Sequence, residues 1–133
     1  MIDWTQTKLP LTAAQALDAA KLAKLQDINA ACDKAVGALT ATYPQSEIQS
    51  WPQQVKEADA YAADPITPVP LLETIAAQRG LGIAELVARV HAKVGAYAVA
   101  SGALIGKRQA LEDAIDAAST VAQVQGITWS DPG

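Results

Sequence analysis

The sequence predicts an all-α protein: an elongated helical bundle with two longer helices, two short helices, a proline-rich corner and non-helical terminal tails. Three observations carry that expectation. From residue 83 to 117, seam residues recur at alternating steps of four and three through Ile83, Val87, Val90, Val94, Tyr97, Ser101, Leu104, Arg108, Leu111 and Ile115. This is a heptad-type seam on one helical face. An alanine-rich stretch upstream repeats the spacing through Leu22, Leu25, Asn29, Cys32, Val36 and Leu39. No long period-two pattern of the kind a half-buried strand needs occurs anywhere.

Taken in order, residues 1–11 carry Trp4 and Pro10 without a helical period and read as an extended arm. Thr12 with Gln15 forms a capping box, so the N-terminal helix is placed at 12–42, running from Ala13 to about Ala41. Asn29 on its seam is either a residue that fixes register or strand number, or a polar residue tolerated at a wet edge. Tyr43 and Pro44 end this helix and open a helical domain at 43–118.

Within that domain, Ser50 is expected to cap a short second helix with Pro52 in its first turn and Gln53 at the capping-box position. Trp51, Val55, Ala58, Tyr61 and Ala62 make its apolar side, and Lys56, Glu57 and Asp59 its wet side. The segment DPITPVP at 64–70 holds three prolines and reads as a rigid corner. Thr67 is expected to cap a short helix through Leu71, Leu72, Ile75 and Ala76 that stops at Arg79 and Gly80. The long helix follows at 83–117. Thr120 and Gln123 form a last capping box, and residues 119–133 are a short cap and C-terminal tail carrying Trp129.

The middle of the long helix organises the rest. Residues 94–106, VGAYAVASGALIG, carry no charge on any face, and a helix apolar all round is normally buried. A helix over 83–117 would be roughly 50 Å long, whereas a compact chain of this size has a radius of gyration of about 14 Å. Either the helix breaks at Gly95, Gly102 or Gly106, or it finds cover in other chains; the second is expected. Gly95 and Gly102, with Ala88, lie at steps of seven and would let another helix backbone approach closely, or else act as kink points.

Composition narrows the function classes. A length of 133 residues suits one domain, enough to bury about two thirds of the unfolded surface. Hydrophobic residues make up 50%, much of it alanine, with no Phe, three Trp and three Tyr, which favours close helix packing over a thick core. A formal charge of −4 repels phosphate backbones and anionic lipid surfaces, so neither nucleic acid nor membrane is an expected partner. The uncharged belt is also shorter than the roughly 20 residues that span a bilayer. The first residues show neither the basic nor the apolar region of a signal peptide, which points to a cytosolic product.

No constellation for catalysis emerges. His91 has no Cys, Asp or Glu at ligand spacing on its face, so neither a metal nor a cofactor is expected. Cys32 reads as a small core residue. Glu112, Asp113 and Asp116 read as a solvated face beside Lys107 and Arg108, and RGLG follows no strand that would make it a phosphate loop. Arg108 falls in phase with the seam, where it either pairs with Glu112 or Asp116 of a neighbouring chain or snorkels past Leu104. Residues proposed to meet a partner are Val87, Val90, Val94, Tyr97, Ser101, Leu104, Ile105, Arg108, Leu111 and Asn29. An enzyme is not expected.

From Tyr43 onward the sequence resembles a helical domain of phage and prophage tail-fibre assembly proteins (fibre chaperones) and related small tail proteins. The order of short pieces carries the resemblance: Tyr43-Pro44, Ser46-Glu47, Ser50-Trp51, Gln54, Glu57-Ala58, Asp64-Pro65, Pro68, Pro70-Leu71-Leu72, Arg79-Gly80, Glu85-Leu86-Val87-Ala88 and Arg108-Gln109-Ala110-Leu111. The resemblance implies a non-enzymatic role, helping fibre or tail proteins trimerise and attach or remaining in the particle as a small structural subunit, with partners among other phage tail or fibre proteins and a place in the virion tail or the host cytoplasm during assembly. Self-association as a coiled-coil-like homo-oligomer is expected from the seam over 83–117, with that over 22–39 as a second candidate. Departures are Pro52 and the lack of the β-rich N-terminal region of larger fibre chaperones, which favours a retained virion subunit over a dissociable chaperone. A small regulator of a host enzyme is a third reading with no residue in its favour.

Overall fold

A computed structural model describes residues 10–130. Among them there is no strand, and the order is α1 (Ala13–Ala38), α2 (Gln45–Ala63), α3 (Pro70–Arg79), α4 (Ile83–Ala117) and α5 (Val121–Gln125). The protein is an all-α bundle. The expected arm at 1–11, with Trp4, lies largely outside the described residues, as does the end of the C-terminal tail. Contacts group the chain into two compact units rather than the single domain expected from length: residues 1–35 with 104–133, and residues 36–103. Both boundaries fall inside helices, because α1 and α4 are each longer than one core needs.

In the first unit the capping box opens α1: the Gln15 amide donates to Thr12 Oγ1 at 3.1 Å and the Thr12 amide to Gln15 Oε1 at 2.9 Å. Ile28 and Cys32, one turn apart, are the buried residues of α1. The expected seam is therefore rotated. Leu22 is 59% exposed, Asn29 is exposed, and Ile28, absent from the seam, is at the centre. Ile115, Ala118 and Val124 complete the buried set of this unit with Leu104. Thr120 caps α5 by accepting from the Gln123 amide at 3.1 Å. The return bond differs from a simple capping box, because Gln123 Oε1 accepts from the amide and hydroxyl of Ser119 at 2.7 and 3.1 Å instead of from Thr120.

In the second unit α1 unwinds through tight turns at Leu39 and Thr40, whose amides donate to Val36 and Gly37 carbonyls. Helix α2 then starts earlier than expected, with Pro44 as its N-cap, Glu47 in the first turn and Pro52 inside it. Ser50 is no cap. Its hydroxyl donates back to the Glu47 carbonyl at 2.6 Å and accepts from Gln54 Nε2 at 2.9 Å. Such back-bonding satisfies a serine within a helix. The helix tolerates Pro52 at the loss of the amide that would have met Ile48.

The corner begins at Asp64, whose carboxylate accepts from the Ile66 amide at 3.2 Å. Helix α3 begins with Val69 as N-cap and Pro70 in its first turn, so Thr67 does not cap it. The cap comes from α2. Glu57, only 5% exposed, accepts the Leu72 amide at 3.0 Å through Oε1 and Gln53 Nε2 at 2.7 Å through Oε2. Glu57 thus belongs to the interior and not to the wet side of α2, because a helix start has unpaired amides that attract an anion. At its other end α3 closes on Gly80, at φ 66°, with Gly80 and Leu81 amides donating to Ala77 and Ala76. That pair of bonds is a Schellman motif. The core here is Ala58, Val69, Leu72, Ala76, Leu86, Val87 and Val90.

Helix α4 continues through Gly95, Gly102 and Gly106 without a break. No helix among the described residues is long and apolar enough to cross a membrane.

Candidate functional site

The site centres on Trp51, which α2 presents within the second unit. Its ring meets Tyr43 edge-on at 5.2 Å and Tyr97 of α4 at 6.0 Å, with interplanar angles of 77° and 70°. T-shaped pairs of this kind place the positive edge of one ring against the negative face of another. Lys93 Nζ lies 4.0 Å from the centre of the Tyr43 ring and 5.4 Å from that of Trp51. The cation is thereby held among aromatic faces and, among the described residues, not by a carboxylate.

Beside this cluster runs an apolar groove of about 320 Å³. Ile48, Trp51, Pro52 and Val55 line it from α2, and Val90, Val94 and Tyr97 from α4. The spacings explain it: 48, 51 and 55 share one face of α2, and 90, 94 and 97 one face of α4. The α4 face continues from the core, so the groove is a place where two apolar stripes diverge before they are filled. A polar depression of about 410 Å³ adjoins it, sharing Gln54, Val90 and Lys93 and adding Glu47, Arg79 and Arg89. Arg89 is paired with Glu85 at 2.7 Å.

The residues expected to meet a partner divide into groups. Val87 and Val90 lie in the chain's own core, and Ser101 and Leu104 are buried, so the seam is largely covered from within. Ser101 is satisfied by its own helix, its hydroxyl donating to the Tyr97 carbonyl at 2.7 Å. Val94 and Tyr97 are half-buried in the groove, and Leu111 is half-buried. Ile105 remains 43% exposed. Arg108 finds partners within the chain: its guanidinium pairs with Glu112 at 2.7 Å and donates to Asn29 Oδ1 at 3.0 Å. An acid one turn on and an amide from α1 make a neighbouring chain unnecessary for that charge.

The uncharged belt is covered on one side only. Tyr97, Ala100, Ser101 and Leu104 are sheltered, while Gly95, Ala98, Val99 and Gly102 face outward, Val99 at 75% exposure. A Cβ built on Gly95, Gly102 or Gly106 meets nothing within 4 Å.

Among the described residues, none that lines the groove is a nucleophile hydrogen-bonded to a base. His91 Nε2 lies 2.9 Å from Asp59 Oδ1 on the surface, a partner from another helix that sequence spacing could not reveal. Among the described residues no three His, Cys, Asp or Glu side chains gather as a metal site would require. Sequence reasoning also missed Glu57 and Lys93. The signal for Glu57 was its place beside Ala58 on the face of α2 that meets α3, one turn after Gln53.

A family model described as the HI1402 helical domain matches residues 92–129. That stretch takes in the C-terminal part of α4 and α5, and Lys93, Val94 and Tyr97 are the groove residues within it. No curated protein and no solved structure matches the chain.

Proposed function

We propose that this chain is a non-enzymatic helical protein of phage tail or tail-fibre assembly, acting by self-association and by contact with other tail or fibre proteins, in the virion tail or in the host cytoplasm during assembly. The observation that carries the self-association is the belt of α4. Apolar and small residues over 94–106 are left open on the face of Gly95, Ala98, Val99 and Gly102. Two copies of that face carry no like charges to repel one another, and their glycines admit close backbone approach. The link to tails and fibres rests on the ordered pieces from Tyr43-Pro44 to Arg108-Gln109-Ala110-Leu111. Several of these have clear structural tasks: Trp51 centres the aromatic cluster, Glu57 caps α3 and Gly80 closes it.

Mass spectrometry of purified phage particles tests the reading. A retained subunit is present in fixed ratio to the tail proteins. The second reading, a dissociable chaperone, is favoured by the open apolar groove beside Trp51, and predicts complexes with a fibre protein in the host lysate but absence from finished particles. Absence from both overturns the two together.

A further inference from the structure

The groove between α2 and α4 lies on a different face of α4 from the open belt, and its lining says what it would hold. Ile48, Trp51 and Val55 extend over two turns of α2, and Val90, Val94 and Tyr97 over two turns of α4. That gives a trough about 10 Å long, matched to two or three aliphatic side chains from one face of a helix. Its polar end is marked by charge. Lys93 and Arg79 carry no carboxylate partner among the described residues, and Arg89 adds a third cation already paired with Glu85; the one acid on that lining is Glu47. In a chain of net charge −4 this end is locally basic.

We infer that the groove is a docking site for an amphipathic helical segment of another protein, with leucine-type anchors in the trough and carboxylates one turn away against Lys93 and Arg79. The aromatic faces that hold Lys93 let its ammonium take an incoming carboxylate without first giving up an ion pair. This deepens the assembly reading by naming the chemistry of a partner, but it stands on a different face from the belt. The belt can fail by sedimentation while the groove still binds, and the reverse.

The test uses the full chain and two fluorescein-labelled helical peptides of about four turns. Both carry leucines at i, i+4 and i+7; one has glutamates and the other lysines at the flanking positions. Anisotropy is expected to show the glutamate peptide binding about tenfold more tightly, a preference that fades with salt. The exposed double variant Lys93→Glu with Arg79→Glu keeps its helical circular dichroism and reverses the order. Equal binding of the two peptides, binding of neither, or an unchanged preference in the double variant overturns the proposal. So does binding that appears only after residues 1–9 are deleted, which would give the groove to the chain's own start. Loss of peptide binding on self-association would give it to a second copy and overturn it equally.

Discussion

Glu57 is the residue whose role depends most on its surroundings. A carboxylate that accepts a buried amide is held by a charge-assisted bond, and removing it leaves the Leu72 amide without a partner where water cannot replace it. Glu57→Ala is expected to cost about 2 kcal/mol and to speed hydrogen exchange at the Leu72 amide selectively. Glu57→Gln retains an acceptor and is expected to cost about half as much. An exchange rate at Leu72 unchanged in Glu57→Ala would show that Glu57 does not cap α3. Arg108 shows the opposite case, a charge in the seam that needs no partner chain because Glu112 and Asn29 are within reach.

One residue inside α2 and one at the end of α3 make those helices informative. Pro52 sits at an exposed position within α2 and leaves the Ile48 carbonyl without its helical donor. Pro52→Ala is expected to raise stability by about 1–2 kcal/mol, since proline is the least favourable residue of a helix interior. A lower thermal midpoint would show that the proline is needed to shape the groove wall. Gly80 is the reverse. At φ 66° it closes α3 in a conformation costly for any residue with a Cβ, although space around it is open. Gly80→Ala is expected to lower stability by about 1 kcal/mol, read as a shift in urea midpoint.

For the molecule as a whole, the useful contrast lies between neighbouring positions of α4. Leu104 is buried beside α1, where Cys32 Sγ lies 3.8 Å from its carbonyl oxygen, whereas Val99 is open. Leu104→Asp places an unpaired charge in a core and is expected to cost more than about 3 kcal/mol, so that helical circular dichroism falls with or without assembly. Val99→Asp is expected to keep the helix content and to abolish self-association in sedimentation velocity. A Val99→Asp protein that sediments as the wild type does would detach the belt from assembly. Leu104 is thus a poor probe of the interface it was expected to mark.

Much of the fold was legible in the residues themselves. The capping box at Thr12, the corner at 64–70, the glycine stop at Gly80 and the extent of α4 all follow from local rules of periodicity, capping and backbone freedom, each acting over a few neighbours. The candidate site was only partly legible. Val94 and Tyr97 were in phase, but the groove exists because Trp51 and Val55 come from a helix far away in sequence. Local rules also misplaced the start of α2, because Ser50 and Pro52 form a good first turn and nothing nearby reveals that Pro44 already serves.

By itself, then, the sequence determined the class, the helices and the uncharged stretch of α4. Only the tertiary structure decided which faces those helices hide. A seam repeats identically whether its cover is a neighbouring helix or another chain, so its period cannot say that the chain itself covers Val87 and Leu104. The same holds for Glu57, whose partner amide lies on another helix: burial and pairing are properties of two elements together, and the spacing within one cannot contain them.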